Sequence, residues 1–406
     1  MNILILSQYF WPEHFLINDL ASELSKKNNI YVVTGRPNYP SGEIYSGYEF
    51  NDLFFELKKK NIKICRVPNR PRKNANALSL FLNYLSFIYN VIKFRKKIIN
   101  EFEFDLIYFF GTSPITSAIP GIILKKIKQK PLVLWVQDLW PGVLKSTGFI
   151  KNKFILNLIN KIVIKIYQES DLILTQSQSF RDEIIKNIDS SKVIFFPNCM
   201  KSKRIIKPNK KEINNVLLKV LDSNFCFTFA GNIGKVQDYN SILYLAHNLI
   251  KIKNIAFVII GFGSSYEKFK LDADKKKLTN IYFFEFIENK FIKFYLNKSK
   301  ALLLNFYNDD VLNKTIPGKF QAYLEAAKPV IASANGEIKK IININKLGFC
   351  SSAGDYQQLK KNMLNFYNLR SNEIIEIENN CRNYFLENYE LSIMTNKLQK
   401  ILKKII

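Results

Sequence analysis

Residues 225–237 read Phe225-Cys226-Phe227-Thr228-Phe229-Ala230-Gly231-Asn232-Ile233-Gly234-Lys235-Val236-Gln237. The run from Phe225 to Ala230 is apolar at every position but Thr228, rather than alternating. Such a run predicts a strand covered on both faces, the mark of a parallel sheet wound with helices. Gly231 and Gly234 follow directly and a helix-like segment comes next. Two glycines there let backbone amides approach a phosphate at a helix N-terminus. Taken alone, the same pair fits an ordinary tight turn equally well.

The pattern repeats in both directions. Upstream, strand-like runs at Ile3–Leu6, Ile30–Val33, Lys63–Val67, Leu106–Phe110, Leu132–Val136, Leu172–Thr175 and Lys192–Phe196 alternate with helical segments. Downstream they recur at Ala256–Ile260, Ile281–Phe284, Ala301–Leu304 and Val330–Ala332. A lysine-rich connector, Lys201–Asn215, separates the two series. The expectation is α/β: two Rossmann-like, doubly wound domains facing a central cleft, residues 1–200 and 201–375. The segment 376–406, helical by its apolar spacing, must cover some surface.

Bulk properties narrow the class. The five cysteines are scattered without close spacing, so neither a disulfide framework nor a thiolate metal site is suggested. The N-terminus lacks the basic prelude and cleavage site of a signal peptide. The longest apolar stretch, Leu78–Ile92, falls short of the roughly 20 residues that a spanning helix needs. A cytoplasmic protein is expected. Lys and Arg total 60 against 34 Asp and Glu, a net charge of +26. Such a field would attract nucleotide sugars, anionic lipids and nucleic acid alike, although Lys, Asn and Ile abound everywhere, as in AT-rich coding.

Candidate chemistry sits in loops after strands. Gly261-Phe262-Gly263 forms a second glycine pair, and a phosphate or nucleotide edge would lie across both pairs. Thr315-Ile316-Pro317-Gly318-Lys319-Phe320-Gln321 opens a helix with proline in its first turn and a lysine beside its free amides, a diphosphate site or else an ordinary capped helix. In the first domain Asp138, within Gln137-Asp138-Leu139-Trp140-Pro141, either orients a sugar hydroxyl and receives a proton or holds its own loop. Glu13 is the second carboxylate expected at the cleft. His14 and His247 are the only histidines, and Asn308-Asp309-Asp310 reads as a solvated loop, so no metal is assigned. Basic residues Arg70, Arg72, Lys73, Lys93, Arg95, Lys96 and Lys97 bracket an apolar stretch. It reads either as an interfacial helix or as a core helix on the first sheet.

Taken together, the chain resembles glycosyltransferase family 4, and within it the WbuB-type L-fucosamine transferases. The residues are Gln8-Tyr9-Phe10-Trp11-Pro12-Glu13, Ile17-Asn18-Asp19, Thr34-Gly35 with Pro37-Asn38-Tyr39-Pro40, Asp138-Leu139-Trp140-Pro141, Phe229-Ala230-Gly231-Asn232-Ile233-Gly234, Ile316-Pro317-Gly318-Lys319 and Asn335-Gly336-Glu337. The resemblance implies a GT-B fold, a retaining and metal-independent transfer with no cofactor beyond a UDP-sugar donor, and a terminal helix crossing back to the first domain. It places the uracil-type base near Phe286 and Ile287. Where most members set Arg and Lys against the diphosphate, this chain carries Asn232 and Gln237, which leaves Lys319 as the cation. The usual glutamate pair is replaced by Lys314 and Ala322, with Gln321 or Glu337 left for the ribose. The acceptor implied is a lipid-linked sugar of O-antigen or capsule assembly, met by a peripheral enzyme on the inner face of the cytoplasmic membrane.

Two other functions fit parts of this pattern. A nucleotide-sugar 2-epimerase shares the fold but needs several acidic and histidine groups. A nucleic-acid-binding protein would explain the charge, yet the lysines are dispersed and no recognised binding motif occurs, so nucleic acid is not an expected partner.

Overall fold

The computed structural model describes residues 1–146, 148–285 and 287–406. These form two compact units, residues 1–199 together with 391–406, and residues 200–390.

The first unit holds β1 (Asn2–Leu6), β2 (Asn29–Gly35), β3 (Phe54–Lys59), β4 (Ile62–Val67), β5 (Leu106–Gly111), β6 (Leu132–Val136), β7 (Leu172–Thr175) and β8 (Val193–Phe195). They form one sheet in the order β3-β4-β2-β1-β5-β6-β7-β8. All pairs are parallel except β3 with β4. Every residue of β5 and β6 is buried, which is why these runs carry no polar alternation. β3 was not among the expected strands, and its sequence shows why. Phe54-Phe55-Glu56-Leu57-Lys58-Lys59 alternates between half-buried and exposed, as an edge strand with one wet face does. Behind it Arg66 is fully buried, paired with Glu56 and donating to the carbonyl of Gly35.

Helices cover both faces of this sheet. On one side Phe87 and Val91, from the helix Ala77–Lys93, join Leu6, Ile107 and Leu134 in the core. On the other, Ile17, Leu20 and Leu24 of the helix Leu16–Leu24 pack with Leu391, Met394, Leu398 and Leu402 of the helix Leu391–Leu402. The terminal helix therefore returns to the first unit, but from Leu391 rather than from residue 376. The expected continuous helix is broken at Tyr389 and Glu390. Its preceding piece, Ser371–Asn388, stays with the second unit, where Cys381 and Phe385 are buried and Glu378 pairs with Lys328 at 2.7 Å.

The second unit holds β9 (Phe225–Ala230), β10 (Ile255–Ile260), β11 (Ile281–Phe284), β12 (Ala301–Asn305), β13 (Val330–Ser333) and β14 (Gly348–Ser351). Their order is β11-β10-β9-β12-β13-β14, all parallel. β14, short and only partly buried, gave no apolar run to read. The strand order reverses between β9 and β12, so the loops after these two strands flank the crevice where open α/β sheets bind ligands.

Candidate functional site

The second unit gathers its glycine loops and Lys319 at that reversal. Gly231 follows β9 with φ +133°, a conformation L side chains rarely adopt, and an added Cβ would lie 2.8 Å from Lys319 Cε. Gly261 follows β10 with φ +142°, and a Cβ there would meet the Gly231 carbonyl at 2.1 Å. The two loops are tied by backbone bonds, Gly231 N–H to Ile260 O at 2.9 Å and Ile233 N–H to Phe262 O at 3.0 Å. Only glycine permits this approach, and it leaves the loop surface lined by backbone rather than side chains.

Lys319 is the second residue of the helix Gly318–Glu325. Pro317 is the N-cap rather than the first helical residue; the Phe320 amide donates to the Pro317 carbonyl at 2.9 Å, and no side chain caps the first turn. The ammonium lies 3.7 Å from the Phe229 ring centroid, 3.2 Å from Gln237 Oε1 and 3.5 Å from the Asn232 carbonyl. All three partners are neutral, and among the described residues no carboxylate pairs with it. Burial pushes its pKa down to about 7. A group in this state gains by meeting an anion, which would restore its charge. Gln237 is itself buried and bridges to Phe306 after β12, so it stands at the strand-order reversal.

The remaining donor candidates are placed around this centre. Gly234 and Gly263 lie in the same two loops, and an added Cβ on Gly263 would come within 2.5 Å of Asn232 Oδ1. Thr315 donates to the Val311 carbonyl at 2.7 Å and so closes its own loop. Gly336, the first residue of the helix Gly336–Ile344, stands against the Asn313 carbonyl of that loop. Gln321 and Glu337 are both buried. Ile287, half-buried, follows β11 at the sheet edge, and Phe286 lies outside the described residues. Asp309 accepts from the amides of Val311 and Leu312 at 2.9 and 3.0 Å, a turn-forming role. No group of three His, Cys, Asp or Glu able to hold a metal occurs among the described residues.

In the first unit Glu13 is 2% exposed. Its Oε1 accepts from the amides of Asn38 and Tyr39 at 2.8 Å each, and Oε2 from Phe10 at 3.3 Å. Burial raises its pKa to about 7 against the opposing pull of these three amides. The carboxylate thus clasps the loop after β1 to the loop after β2. Asp138, half-buried after β6, accepts from Ser113 Oγ at 2.8 Å, and that hydroxyl accepts from Trp140 Nε1 at 3.0 Å. His14 is exposed.

Tyr323, which the sequence did not single out, and Arg72, read there only as a basic flank of the apolar stretch, hold these loops. The Tyr323 hydroxyl accepts from the Ala230 amide at 2.9 Å and lies 3.2 Å from its carbonyl, tying the helix that carries Lys319 to the end of β9. Its place one turn after Lys319 is the signal that could have found it. Arg72 stands between two rings, 5.5 Å from the Tyr9 centroid and 5.1 Å from that of Tyr39, and donates to Tyr9 Oη at 3.2 Å. Glu325, near the expected ribose position, is occupied instead by a buried ion pair with Lys293.

Comparisons with known proteins agree with this geometry. The family model Glycosyltransferase Family 4 matches residues 16–204 and the model Glycosyl transferases group 1 matches residues 209–385, which together take in most of the chain. No curated protein matches the chain in sequence at a significant level. Among solved structures, HepE of Anabaena in complex with UDP is similar at 14% identity, with 100% of each chain covered and a TM-score of 0.68. The structure described as trehalose-6-phosphate from E. coli bound with UDP-2-fluoro glucose is similar at 11% identity, 100% of each chain and a TM-score of 0.71. Sucrose-phosphate synthase of Thermosynechococcus elongatus is similar at 12% identity, covering 99% of this chain and 98% of its own, with a TM-score of 0.70. With two doubly wound units, glycine loops at the strand-order reversal and both family models matched in chain order, this chain is a family 4-like glycosyltransferase of GT-B fold.

Proposed function

We propose that the protein is a retaining, metal-independent transferase that moves a sugar from a UDP-sugar to a lipid-linked saccharide in surface polysaccharide assembly. An N-acetylated amino or deoxyamino sugar, as in the L-fucosamine transferases, is the donor favoured by the sequence resemblance. The observation that carries the reading is Lys319, a desolvated lysine without an anionic partner among the described residues, set on a helix N-terminus beside the glycine loops. A diphosphate leaving group supplies the missing negative charge. Preorganised donors and a cation stabilise that charge as it develops. UDP in one of the similar structures and UDP-2-fluoro glucose in another support the choice of nucleotide. The base is assigned to the region of Phe286 and Ile287, and the ribose to Gln321 or Glu337.

On the acceptor side, Asp138 is the carboxylate left to orient a sugar hydroxyl: its Oδ2 takes one hydroxyl and Oδ1 has no partner among the described residues. Glu13 acts as a positioning residue through the loops it joins. Contact with the cytoplasmic face of a membrane is read from the helix Ala77–Lys93. It buries Asn83, Phe87 and Val91 and leaves Leu78, Phe81, Leu85 and Tyr89 exposed between basic segments. No single helix among the described residues is long and apolar enough to cross a membrane. The helix Ala77–Lys93 and its successor Arg95–Glu101 meet at 60°, with Phe94 and Ile98 buried in the core.

The test is UDP release from a panel of UDP-sugars, with EDTA present, with and without a polyprenyl diphosphate saccharide. Release that requires the acceptor supports the reading. UDP release without any acceptor would point to the epimerase. RNA binding without affinity for UDP would point to the nucleic-acid protein.

A further inference from the structure

The exposed apolar stripe of the helix Ala77–Lys93 borders a groove of about 490 Å³ within the first unit. Its other wall is made by Ile159 and Ile162 of the helix Lys153–Glu169 together with Trp140, Val143, Leu144, Phe149 and Ile150. Phe81, Tyr84, Leu85, Trp140, Phe149 and Ile162 line it, a nearly continuous apolar surface of a volume that ordinarily buries most of a small ligand. The groove has a polar end. Tyr84 lines it, lies against the Tyr9 hydroxyl and feels the charge of Arg72. Ser113, the partner of Asp138, lines it too. Arg72 has no carboxylate partner among the described residues, and the rings of Tyr9 and Tyr39 flank it. Its position is built in: its own amide donates to Asn38 Oδ1 at 3.3 Å, and Glu13 holds the Asn38 amide. Lys145, Lys151 and Lys153, next in sequence to the lining residues Leu144 and Ile150 or close to them, are exposed.

We infer that this groove takes the hydrocarbon chain of an isoprenyl diphosphate-linked acceptor, and that Arg72 meets its phosphate. The inference rests on the lipid-linked reading of the acceptor and adds where that lipid sits. A bilayer surface would contact Leu78, Tyr89 and Phe154, which point outward and do not line the groove. A single chain instead fits a slot between two helices with one uncompensated cation at its end. Apolar burial along the slot and charge at the head then add in one ligand.

Calorimetry on the full chain, without vesicles and with UDP saturating, tests this with farnesyl diphosphate, isopentenyl diphosphate and inorganic diphosphate as probes. Farnesyl diphosphate should bind at least about tenfold tighter than isopentenyl diphosphate, since each buried methylene contributes. Leu85→Asn and Ile162→Asn, both at partly exposed positions that tolerate a polar side chain, should each abolish that preference. Arg72→Gln should weaken both prenyl diphosphates by about tenfold, with recovery in Arg72→Lys. Phe154→Ser, outside the groove, should change nothing. Equal affinity for the long and short chains, groove variants without effect, or loss of binding with UDP present would each overturn the inference. Transfer to a polyprenyl diphosphate saccharide is measured in the same preparations. Transfer indifferent to chain length defeats the groove and leaves the lipid-linked acceptor standing. No transfer to any lipid-linked acceptor defeats the proposed function itself.

Discussion

Replacing Lys319 by Ala removes the ammonium that stands 3.2 Å from Gln237 Oε1 against the glycine loops. Loss of a single preorganised stabilising group costs about 2.7–4 kcal/mol of transition-state energy, so kcat should fall roughly a hundredfold to a thousandfold. The helix N-terminus and backbone amides remain and account for the residual rate. The lysine also predicts a pH signature. Burial lowers its pKa from 10.5 to about 7. Above pH 7 the ligand-free site is therefore largely neutral, and UDP must bring a proton with it. Between about pH 7 and the ordinary lysine value, UDP affinity should fall by up to about tenfold per pH unit, with proton uptake visible by calorimetry in buffers of different ionisation enthalpy. Stability has the matching sign. The folded-state value lies below the unfolded one, so the cost of burying the charge is present in full below about pH 7 and shrinks as pH rises toward 10.5. Lys319→Met should then show a higher Tm than the parent at pH 6, with the gap closing toward pH 9. An unchanged kcat in Lys319→Ala, together with UDP binding that takes up no proton, would refute the assignment.

Three further outcomes follow from packing. Gly231→Ala forces a side chain into φ +133° and 2.8 Å from Lys319 Cε, so donor affinity should drop by about tenfold or more in UDP titrations while the fold persists. Glu13→Ala leaves three amides without their carboxylate. It should raise the acceptor KM more than it lowers kcat and reduce Tm, each unsatisfied group costing about 1–3 kcal/mol. Leu398→Ala opens a cavity under the returning helix, at about 2–5 kcal/mol, and should lower the unfolding transition of the first unit without moving that of the second.

What the sequence disclosed and what it hid divide along a physical line. Strands buried on both faces carry unbroken apolar runs, so β5, β6, β9 and β10 could be read almost to the residue. Two of the four edge strands, β3 and β14, carry no such run and went unread, whereas the edge strands β8 and β11 kept enough apolar residues to be read. Loops that follow parallel strands are the binding loops by topology alone, which is why the stretches around Gly231, Lys319 and Asp138 could be chosen without coordinates. The break at Tyr389 was hidden because apolar spacing continues through it. Only the burial of Phe385 in the second unit and of Leu391 in the first separates the two helices.

Topology fixes where a side chain starts but not what it meets, and the polar residues of the first unit show the difference. Asn83 looked like an interruption in an apolar helix. In the fold it is fully buried, its Oδ1 accepting from Gln8 Nε2 at 2.7 Å and its amide donating to the Arg70 carbonyl, so it anchors the loop that leads to Arg72. Glu13, read as a carboxylate facing substrate, spends its oxygens on three backbone amides. Both residues lie at the carboxyl ends of strands or against them, and both act on substrate only by holding something else. A carboxylate that must take a proton needs an exposed lone pair, and Glu13 at 2% exposure has none to offer a sugar hydroxyl, whereas Asp138 keeps one oxygen without a partner among the described residues. In the function proposed above, the acceptor chemistry of the first unit is therefore assigned to Asp138 and Arg72, with Glu13 and Asn83 setting the loops that carry them.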